Sequence, residues 1–277
     1  MSTVTISAAD VNKLRTQTGA GMMDCKKALT EANGDFEQAI DYLRKKGQKV
    51  AANRADKEAK EGYILAKTNA DASKGYLVAL SCETDFVAKS ADFVKFADEL
   101  VNVAVSSNAS SIDDLKSQKM GDLTVADKLF DIIGKIGEKI DITSYEVIDA
   151  PKVVIYIHPG NKVVSMVGMS SGSASSDIAK DVAMQIAAMN PVAIDKDDVD
   201  VRTLEREIEI GKEQARAEGK PEEMLEKIAQ GKLNKFYKEN TLLNQQFIKD
   251  DKVDIRTYLD KTEKGLTVKV FRRIQIG

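Results

Sequence analysis

Histidine and cysteine, the side chains that most often bind zinc, are scarce in this chain of 277 residues, which has one His and two Cys. Cys25, Cys82 and His158 lie far apart in the sequence. A structural zinc site takes about four such ligands, so these three do not form one. Two cysteines allow one disulfide at most, and scattered thiols are typical of a reducing compartment. We therefore expect neither a metal site nor a disulfide framework.

Motifs for nucleotide binding and covalent catalysis are also missing from the sequence. It contains no G-x-x-x-x-G-K-[ST] phosphate loop and no G-x-G-x-x-G turn. The one His would need Ser and carboxylate partners for a catalytic triad, and the sequence identifies none. We therefore expect no catalytic residues and no bond-making enzyme, and a function that depends on surfaces.

The segment Cys82–Lys89, with the sequence CETDFVAK, is the strongest candidate for such a surface. It follows an alternating strand and precedes a helix expected from about Ser90. Two interpretations are open. Phe86 and Val87 could pack beneath the helix as core, with Asp85 or Ser90 as the N-cap. Alternatively, Phe86 protrudes as an aromatic anchor, a type of residue that supplies much of the binding energy of interfaces.

The composition favours a globular protein and weighs against a nucleic acid as the main partner. Hydrophobic residues make up 43% and charged residues 31%, and 41 Lys and Arg stand against 44 Asp and Glu, for a net charge of -3. Proteins that grip phosphate backbones usually carry a clear excess of Lys and Arg. No signal peptide and no apolar run of about 18 residues is present, so we expect a cytoplasmic protein without membrane contact.

Three short helices are expected in the first 50 residues. Ser7 and Asp10 form the pattern of a capping box, a second helix covers about Met22–Glu31, and a third begins at Asp35 and ends near Gly47. The following stretch, residues 44–60, holds seven Lys and Arg against two Asp and Glu. It is interpreted as a solvated helical tether or, alternatively, as a contact for an acidic partner surface.

The rest of the chain predicts an α+β core in which a hairpin followed by a helix occurs twice. The first set is followed by a further helix, Val125–Gly137, and by an extended segment from Ile140 to Val147. The first hairpin is expected from strands at residues 62–67 and 75–81, followed by a helix from Ser90. The second is expected from strands at residues 152–157 and 162–169, followed by a helix at 176–189. Strands are expected again at 246–248 and 267–276.

Residues Val199–Asn240 interrupt the second set and predict an antiparallel helical hairpin. Gly219 and Pro221 lie between its arms, as expected at a helix end followed by a helix start. Arms of about 18 residues would extend roughly 27 Å, and their largely charged surface predicts projection into solvent. The two apolar seams are formed by Val201, Leu204, Ile208 and Ala215 and by Leu225, Ile228, Leu233 and Phe236.

Two segments resemble the signatures of the bacterial elongation factor Ts family. They are LRTQTGAGMMDCKKAL at residues 14–29 and TDFVA at residues 84–88. Shorter segments fit in the same order, among them GKIGE at 134–138, HPG at 158–160 and LNQQF at 243–247. The resemblance covers nearly the whole chain.

The resemblance implies a domain organisation. Residues 1–55 would form an N-terminal three-helix module similar to ubiquitin-associated (UBA) domains, together with the basic linker. Residues 56–147 would form the N-subdomain of a core with two pseudo-symmetric α+β subdomains. Residues 148–277 would form the C-subdomain, interrupted by a coiled-coil hairpin at 199–240.

The resemblance also implies a function, namely guanine-nucleotide exchange on elongation factor Tu. The protein would have no cofactor of its own and would act on Mg²⁺-GDP bound to Tu. Phe86 would enter a pocket between two helices of the GTPase domain of Tu and disturb its Mg²⁺ site and phosphate loop. The implied partner-binding residues are Thr84, Asp85, Phe86 and Val87, supported by Ile136, Gly137 and His158, with Arg15, Met22 and Met23 at a second contact.

Several alternatives stay open from the sequence. Met22 and Met23 could pack in the core of the three helices, and His158 could be an idle surface residue. The protein could be an interaction scaffold with a UBA-like binding module, or an RNA- or ribosome-associated protein that uses residues 44–60. The coiled-coil hairpin could also support a homodimer or a 2:2 complex.

Overall fold

The structure is a computed structural model, and it describes residues 5–277. It mixes helices and antiparallel sheets, which confirms the α+β class. The helices are α1 Ala8–Thr18, α2 Met22–Glu31, α3 Phe36–Asn53, α4 Asp85–Ala88, α5 Ala91–Ser107, α6 Ile112–Ser117, α7 Val125–Ile136, α8 Ser176–Met189, α9 Val201–Ala217, α10 Glu222–Asn240 and α11 Ile255–Thr262. The strands are β1 Glu61–Thr68, β2 Lys74–Cys82, β3 Lys119–Met120, β4 Leu123–Thr124, β5 Ile140–Asp149, β6 Lys152–Ile157, β7 Val163–Met169, β8 Gln246–Phe247, β9 Asp250–Asp254 and β10 Val268–Gln275.

The first three helices enclose a small core of their own. The capping box predicted at the start of α1 is confirmed, since the side chain of Ser7 accepts a hydrogen bond from the N–H of Asp10 and the Asp10 side chain bonds back. Asp35 caps α3 in the predicted way. The apolar residues that meet between the helices include Val11, Leu14, Cys25, Ala28, Leu29 and Ala39.

Helix α3 is longer than the sequence predicts, which corrects the interpretation of residues 44–60. Gly47 was expected to end the helix, but it lies in its interior and is buried, and the helix continues to Asn53. A Cβ on Gly47 would overlap the carbonyl oxygen of Phe130 in α7, so glycine permits close helix packing here. Most of the supposed tether is therefore a helix docked on the core, with Val50 packed against the core's apolar side chains.

The first sheet has the strand order β1-β2-β5 and is buried on both faces. Alternate residues of β2 point to opposite sides. Tyr76, Val78 and Leu80 pack with α5 and α7, whereas Leu77 and Ala79 face the second sheet. This two-sided burial explains why β2 is a nearly continuous apolar run, so the expectation of an alternating strand before the segment Cys82–Lys89 is wrong.

The second sheet has the order β6-β7-β10, and it packs against the first through residues such as Val164 and Met166. Its outer face is covered by α8, against which Val167 and Met169 pack. In both sheets the third strand pairs antiparallel with the second strand of the hairpin. The shared strand order is what a duplicated subdomain would give. The domain boundaries 1–55, 56–147 and 148–277 stay predictions.

Helices α9 and α10 form an antiparallel pair, called the arm below. Their backbones approach closely, since a Cβ on Gly211 would lie 3.2 Å from the Cα of Ala229. Leu225 and Leu233 are buried in the seam as expected. The assignment of Val201 to the seam is wrong, because its side chain is 67% exposed in the first turn of α9, where the helix has little to pack against.

Other differences concern short elements that the sequence pattern does not reveal. Helix α6, the two-residue strands β3 and β4, strand β9 and helix α11 were not predicted. The strand expected at 246–248 is shorter, with Ile248 outside β8 and 44% exposed. Elements of two to eight residues carry too few periods to stand out from loops.

Candidate partner-binding site

Phe86 lies in the first turn of α4 and its side chain is 83% exposed. Thr84 is the N-cap of this helix, and its hydroxyl oxygen accepts a hydrogen bond from the N–H of Val87 at 3.4 Å. Val87 is half-buried against the core, and Ala88 is buried. The interpretation of Phe86 as a core residue is therefore excluded, whereas Val87 packs partly against the core and Ser90 is the N-cap of α5, as that interpretation expected. Residues 83–88 are called the Phe86 turn below.

A carboxylate from another part of the chain holds the Phe86 turn. Glu138 accepts hydrogen bonds from the hydroxyl of Thr84 at 2.7 Å, from the N–H of Thr84 at 3.0 Å and from the N–H of Glu83 at 3.1 Å. Glu83 in turn accepts a hydrogen bond of 2.6 Å from the N–H of Lys139. The two turns thus exchange hydrogen bonds in both directions.

Both turns are also tied to the segment that follows α3, through Glu83 and Lys139. Arg54 donates to both oxygens of Glu83, at 2.8 and 2.7 Å. The ammonium group of Lys139 donates to the carbonyl oxygens of Ala55 at 2.6 Å and Lys57 at 3.0 Å. Burial acts to raise the pKa of Glu83, but the hydrogen bonds from Lys139 and Arg54 outweigh it and lower the pKa. Glu83 is therefore ionised at neutral pH.

Asp85 lies beside Phe86 and pairs with Lys89 one helical turn later, at 2.8 Å. The hydrogen bond from Lys89 lowers the pKa of the Asp85 carboxyl. Exposed pairs of this kind contribute little to stability and exchange partners readily. Asp85 thus keeps its negative charge at the surface, where a partner could compete for it.

Ile136 and Gly137 end α7 directly before Glu138. Ile136 is half-buried and packs against the first core. Gly137 has a φ of +84° and donates its N–H to the carbonyl of Ile133, which ends the helix in a left-handed residue. This turn redirects the chain so that Glu138 reaches Thr84. The structure therefore brings both predicted residues next to the Phe86 turn.

His158 lies exposed at the tip of the β6–β7 hairpin, with its Nδ1 3.1 Å from the hydroxyl of Tyr156. The tip is docked on the edge strand β1. Asn161 accepts from the N–H of Ile64 at 2.8 Å and its side chain donates to the carbonyl of Ile64 at 3.1 Å. Next to it, Lys162 donates to Glu61 at 2.6 Å, at the end of β1.

This docking places the hairpin tip at the end of the sheet that leads into the Phe86 turn. Glu61 is paired with Cys82, the last residue of β2 before the turn. The charge of Lys162 also contributes to the lowered pKa of Asp85, although less than Lys89 does. His158 and the Phe86 turn therefore belong to the same end of the core.

Arg15, Met22 and Met23 form a second patch on α1 and the first turn of α2. All three are exposed, and the side chains of Met22 and Met23 are 53% and 74% exposed. The alternative in which the methionines pack in the three-helix core is therefore excluded. Two solvent-facing methionines on one helix turn offer an adaptable apolar contact.

The loop between α1 and α2, the two helices that carry this second patch, rests on α7. A Cβ on Gly19 would lie 2.7 Å from the ammonium nitrogen of Lys135, which itself pairs with Asp92 at 2.7 Å. Lys135 lies in the last turn of α7, two residues before Gly137. The two patches are thus carried by different helices that share α7 as their support.

Sequence reasoning missed the residues that hold the Phe86 turn. Glu83, Glu138, Arg54 and Lys139 were not singled out, although Glu83 directly precedes the segment TDFVA and Glu138 is the last residue of the segment GKIGE. Glu83 and Glu138 lie far apart in the chain, so no periodic pattern connects them. Their position beside or within these segments was the one available signal.

Within residues 5–277, no group of three or more His, Cys, Asp or Glu side chains is placed to hold a metal ion. None of the helices in this range is both long and apolar enough to cross a membrane. An exposed aromatic ring on a turn fixed by charged hydrogen bonds is suited to insertion into another protein. The fold and site thus define an α+β protein that presents an exposed apolar ring at its surface.

Comparison with known proteins agrees with this class. Residues 83–277 match the family model described as elongation factor TS. The chain is 57% identical to elongation factor Ts of Cytophaga hutchinsonii, over 99% of both chains. It is 52% identical to that of Amoebophilus asiaticus, over 98% of this chain and 99% of the relative. It is 49% identical to that of Flavobacterium psychrophilum, over 99% of both. The chain belongs to the elongation factor Ts family, a family of bacterial translation elongation factors.

Proposed function

We propose that the protein is a guanine-nucleotide exchange factor that binds elongation factor Tu in its GDP form and promotes GDP release. Membership of the elongation factor Ts family supports the choice of partner. The observation that carries the proposal is the exposed ring of Phe86 on a turn whose backbone is held by Glu138. Burial of such a ring in a partner would remove its apolar surface from water and contribute favourably to binding.

The proposed mechanism is a wedge. The β-phosphate of a bound nucleotide is held by Mg²⁺ and by backbone N–H groups at a helix N-terminus. Insertion of Phe86 between two helices of the GTPase domain of Tu would shift these groups away from the phosphate. Asp85, Thr84 and Val87 would line the same contact, and GDP would lose its strongest interactions without any bond being made or broken.

The remaining predicted residues extend this contact. Ile136, Gly137 and His158 would border the wedge, because they lie at the same end of the core. Arg15, Met22 and Met23 would bind a different helix of the GTPase domain. Two separated contacts on one rigid partner would fix the direction in which Phe86 enters, as orientation requires more than one point of attachment.

Thermodynamic linkage constrains how the protein works. If the protein weakens GDP binding to Tu by some factor, GDP must weaken its binding to Tu by the same factor. Exchange therefore proceeds through a transient ternary complex. The protein need not prefer GTP, because the excess of GTP over GDP in the cell sets the direction. It acts on Mg²⁺-GDP held by Tu and needs no cofactor of its own.

The finer architecture belongs to the same proposal. We propose that α1–α3 form a UBA-like module and that the arm is a coiled coil able to support a homodimer or a 2:2 complex with Tu. The buried Gly211 and Ala215, with the close approach of Ala229, support tight antiparallel packing of the arm. A measurement of mass in solution, with and without Tu, tests the assembly state.

The exchange function is tested by stopped-flow release of a fluorescent GDP analogue from Tu in the presence of excess unlabelled nucleotide. The release rate should rise with the concentration of the protein and reach a plateau, as expected for a ternary complex. Heat-denatured protein at the same concentrations is the control. An unchanged release rate with folded protein would refute the proposed function.

A further inference from the structure

We propose that Glu138 and Glu83 are positioning residues that set the orientation of Phe86 for exchange. This inference rests on the proposed function and concerns residues that are not among the predicted partner-binding residues. Neither carboxylate has to touch Tu. Glu138 holds the peptide N–H groups that lead into α4, and Glu83 holds the N–H of Lys139, directly after Glu138.

The turn needs such support because α4 has four residues. A helix of this length forms about one hydrogen-bonded turn and is not stable by itself. Its N-cap bond from Val87 to Thr84 is long, at 3.4 Å. Val87 and Ala88 pack against the core and fix one side of the turn. The exposed Phe86 side chain adds no packing against the core. The entry into α4 must therefore be fixed from outside.

Glu138 supplies this support with one side chain. Its two oxygens accept hydrogen bonds from the hydroxyl and N–H of Thr84 and from the N–H of Glu83, with donor–acceptor distances between 2.7 and 3.1 Å. Hydrogen bonds to an ionised acceptor are roughly twice as strong as neutral ones. Three donors on two adjacent residues leave the N-cap little freedom to rotate, so the ring two residues later points in one direction.

Glu83 makes the hydrogen bond that runs in the opposite direction between the two turns. It accepts the N–H of Lys139, the residue after Glu138, so movement of either turn strains both carboxylates. Arg54 binds both oxygens of Glu83 from the end of α3. Helix α3 is thereby linked to the turn that carries Phe86, and α3 packs in the small core against α2, the helix that carries Met22 and Met23.

A double-mutant cycle between Glu138 and Phe86 distinguishes positioning from general stabilisation. The maximal rate of GDP release from Tu is measured at saturating factor for wild type, Glu138→Ala, Phe86→Ala and the double variant. We expect Glu138→Ala to lower the maximal rate about tenfold when Phe86 is present and less than twofold when it is absent. An equal reduction in both backgrounds would overturn the inference, because Glu138 would then not act through Phe86.

Two further variants complete the test. Glu138→Gln keeps the shape of the side chain and an acceptor for Thr84 but cannot accept from all three donors. Its maximal rate of GDP release should therefore lie between those of wild type and Glu138→Ala. Glu138→Gln replaces Glu138→Ala in the cycle if Glu138→Ala does not fold. Glu146→Ala is the matched control. Glu146 is a half-buried carboxylate on β5 that pairs with Arg272 at 2.9 Å, away from the Phe86 turn. It should leave the release rate unchanged.

A readout without Tu separates this inference from the proposed function. Amide hydrogen exchange in residues 84–88 should be about tenfold faster in Glu138→Ala than in wild type, while exchange in β2 stays unchanged. Unchanged protection of residues 84–88 would overturn the inference even if the protein accelerates GDP release. Failure of wild type to accelerate release, with protection lost in the variant, would refute the proposed function and leave the positioning of the turn established.

Discussion

Gly47 and Gly134 face each other where α3 crosses α7, and a Cβ built on Gly134 would lie 3.1 Å from the Cα of Gly47. The two helix backbones are therefore in contact at this point. Because α7 also ends beside the Phe86 turn, this crossing sets where the N-terminal helices lie relative to Phe86. The geometry of the site thus depends on residues with no side chain.

Replacement of Gly47 by alanine should destabilise the docking of α3 on the core. The new Cβ would overlap the backbone of Phe130, and a backbone cannot move aside as a flexible side chain can. We expect a loss of about 1–3 kcal/mol in the free energy of unfolding, as for overpacked cores. Urea denaturation followed by circular dichroism measures it.

Gly231→Ala is the matched control for this substitution. Gly231 also lies inside a helix, α10, but a Cβ there would meet nothing within 4 Å. Alanine should therefore raise stability by up to about 1 kcal/mol through its higher helix propensity. Equal effects of the two substitutions would show that the close crossing of α3 and α7 is not formed.

Both cysteine thiols should be unreactive in the folded protein. Cys82 is buried directly beneath the Phe86 turn, and burial raises its pKa to about 12. Burial also raises the pKa of Cys25. The thiolate is the reactive form, so a thiol reagent at pH 8 should label neither residue quickly and should label both after denaturation. Rapid labelling of Cys82 in the native state would contradict the packing of this turn.

The contribution of Glu83 to stability should depend on pH. Its pKa is lowered in the folded state, so the folded form binds fewer protons than the unfolded one near the ordinary value of about 4.3. Its contribution should be complete above that value and should be lost as the pH falls through the lower pKa of the folded state.

Glu83→Gln tests this pH dependence because amide and carboxyl have similar shapes. At pH 7 we expect the variant to be less stable by about 1.5–3 kcal/mol, the range for hydrogen bonds to charged groups. At pH 3 the difference from wild type should be smaller, as measured by urea denaturation at both pH values. A difference that stays constant would show that Glu83 stabilises the fold without its charge.

Replacement of both Met22 and Met23 by alanine should weaken the binding of Tu without weakening the fold. The two side chains are exposed, so the thermal midpoint should hardly change, as for most surface substitutions. The factor concentration that gives half-maximal GDP release should rise roughly tenfold if the pair is an interface hot spot. An unchanged concentration would remove α2 from the proposed contact.

Helices and hairpins with regular apolar periods could be predicted from the sequence to within a few residues. The helices α2 and α7 and the hairpin of β6 with β7 are examples. Gly47 misled the prediction because glycine inside a helix looks the same in sequence as glycine after a helix end. Gly47 lies inside the helix because α3 packs against Phe130, a residue 83 positions away in the chain.

The candidate site could be predicted only in part, because its local segment is visible in the sequence and its long-range contacts are not. The segment around Phe86 resembles a family signature, but whether the ring is exposed or buried depends on the position of α5 and the sheet, which the local sequence does not determine. The support of the turn by Glu138 is a long-range contact between two loops. Such contacts leave no periodic pattern in one sequence.

The central claim is that the exposed ring of Phe86 drives GDP release from Tu. The most direct test compares the maximal release rate of the fluorescent GDP analogue for wild type, Phe86→Ala and Met189→Ala. Met189 is an exposed apolar residue at the end of α8, outside the proposed site. The account predicts that Phe86→Ala loses most of the acceleration while folding normally, and that Met189→Ala retains it. Full acceleration by folded Phe86→Ala would contradict the wedge mechanism.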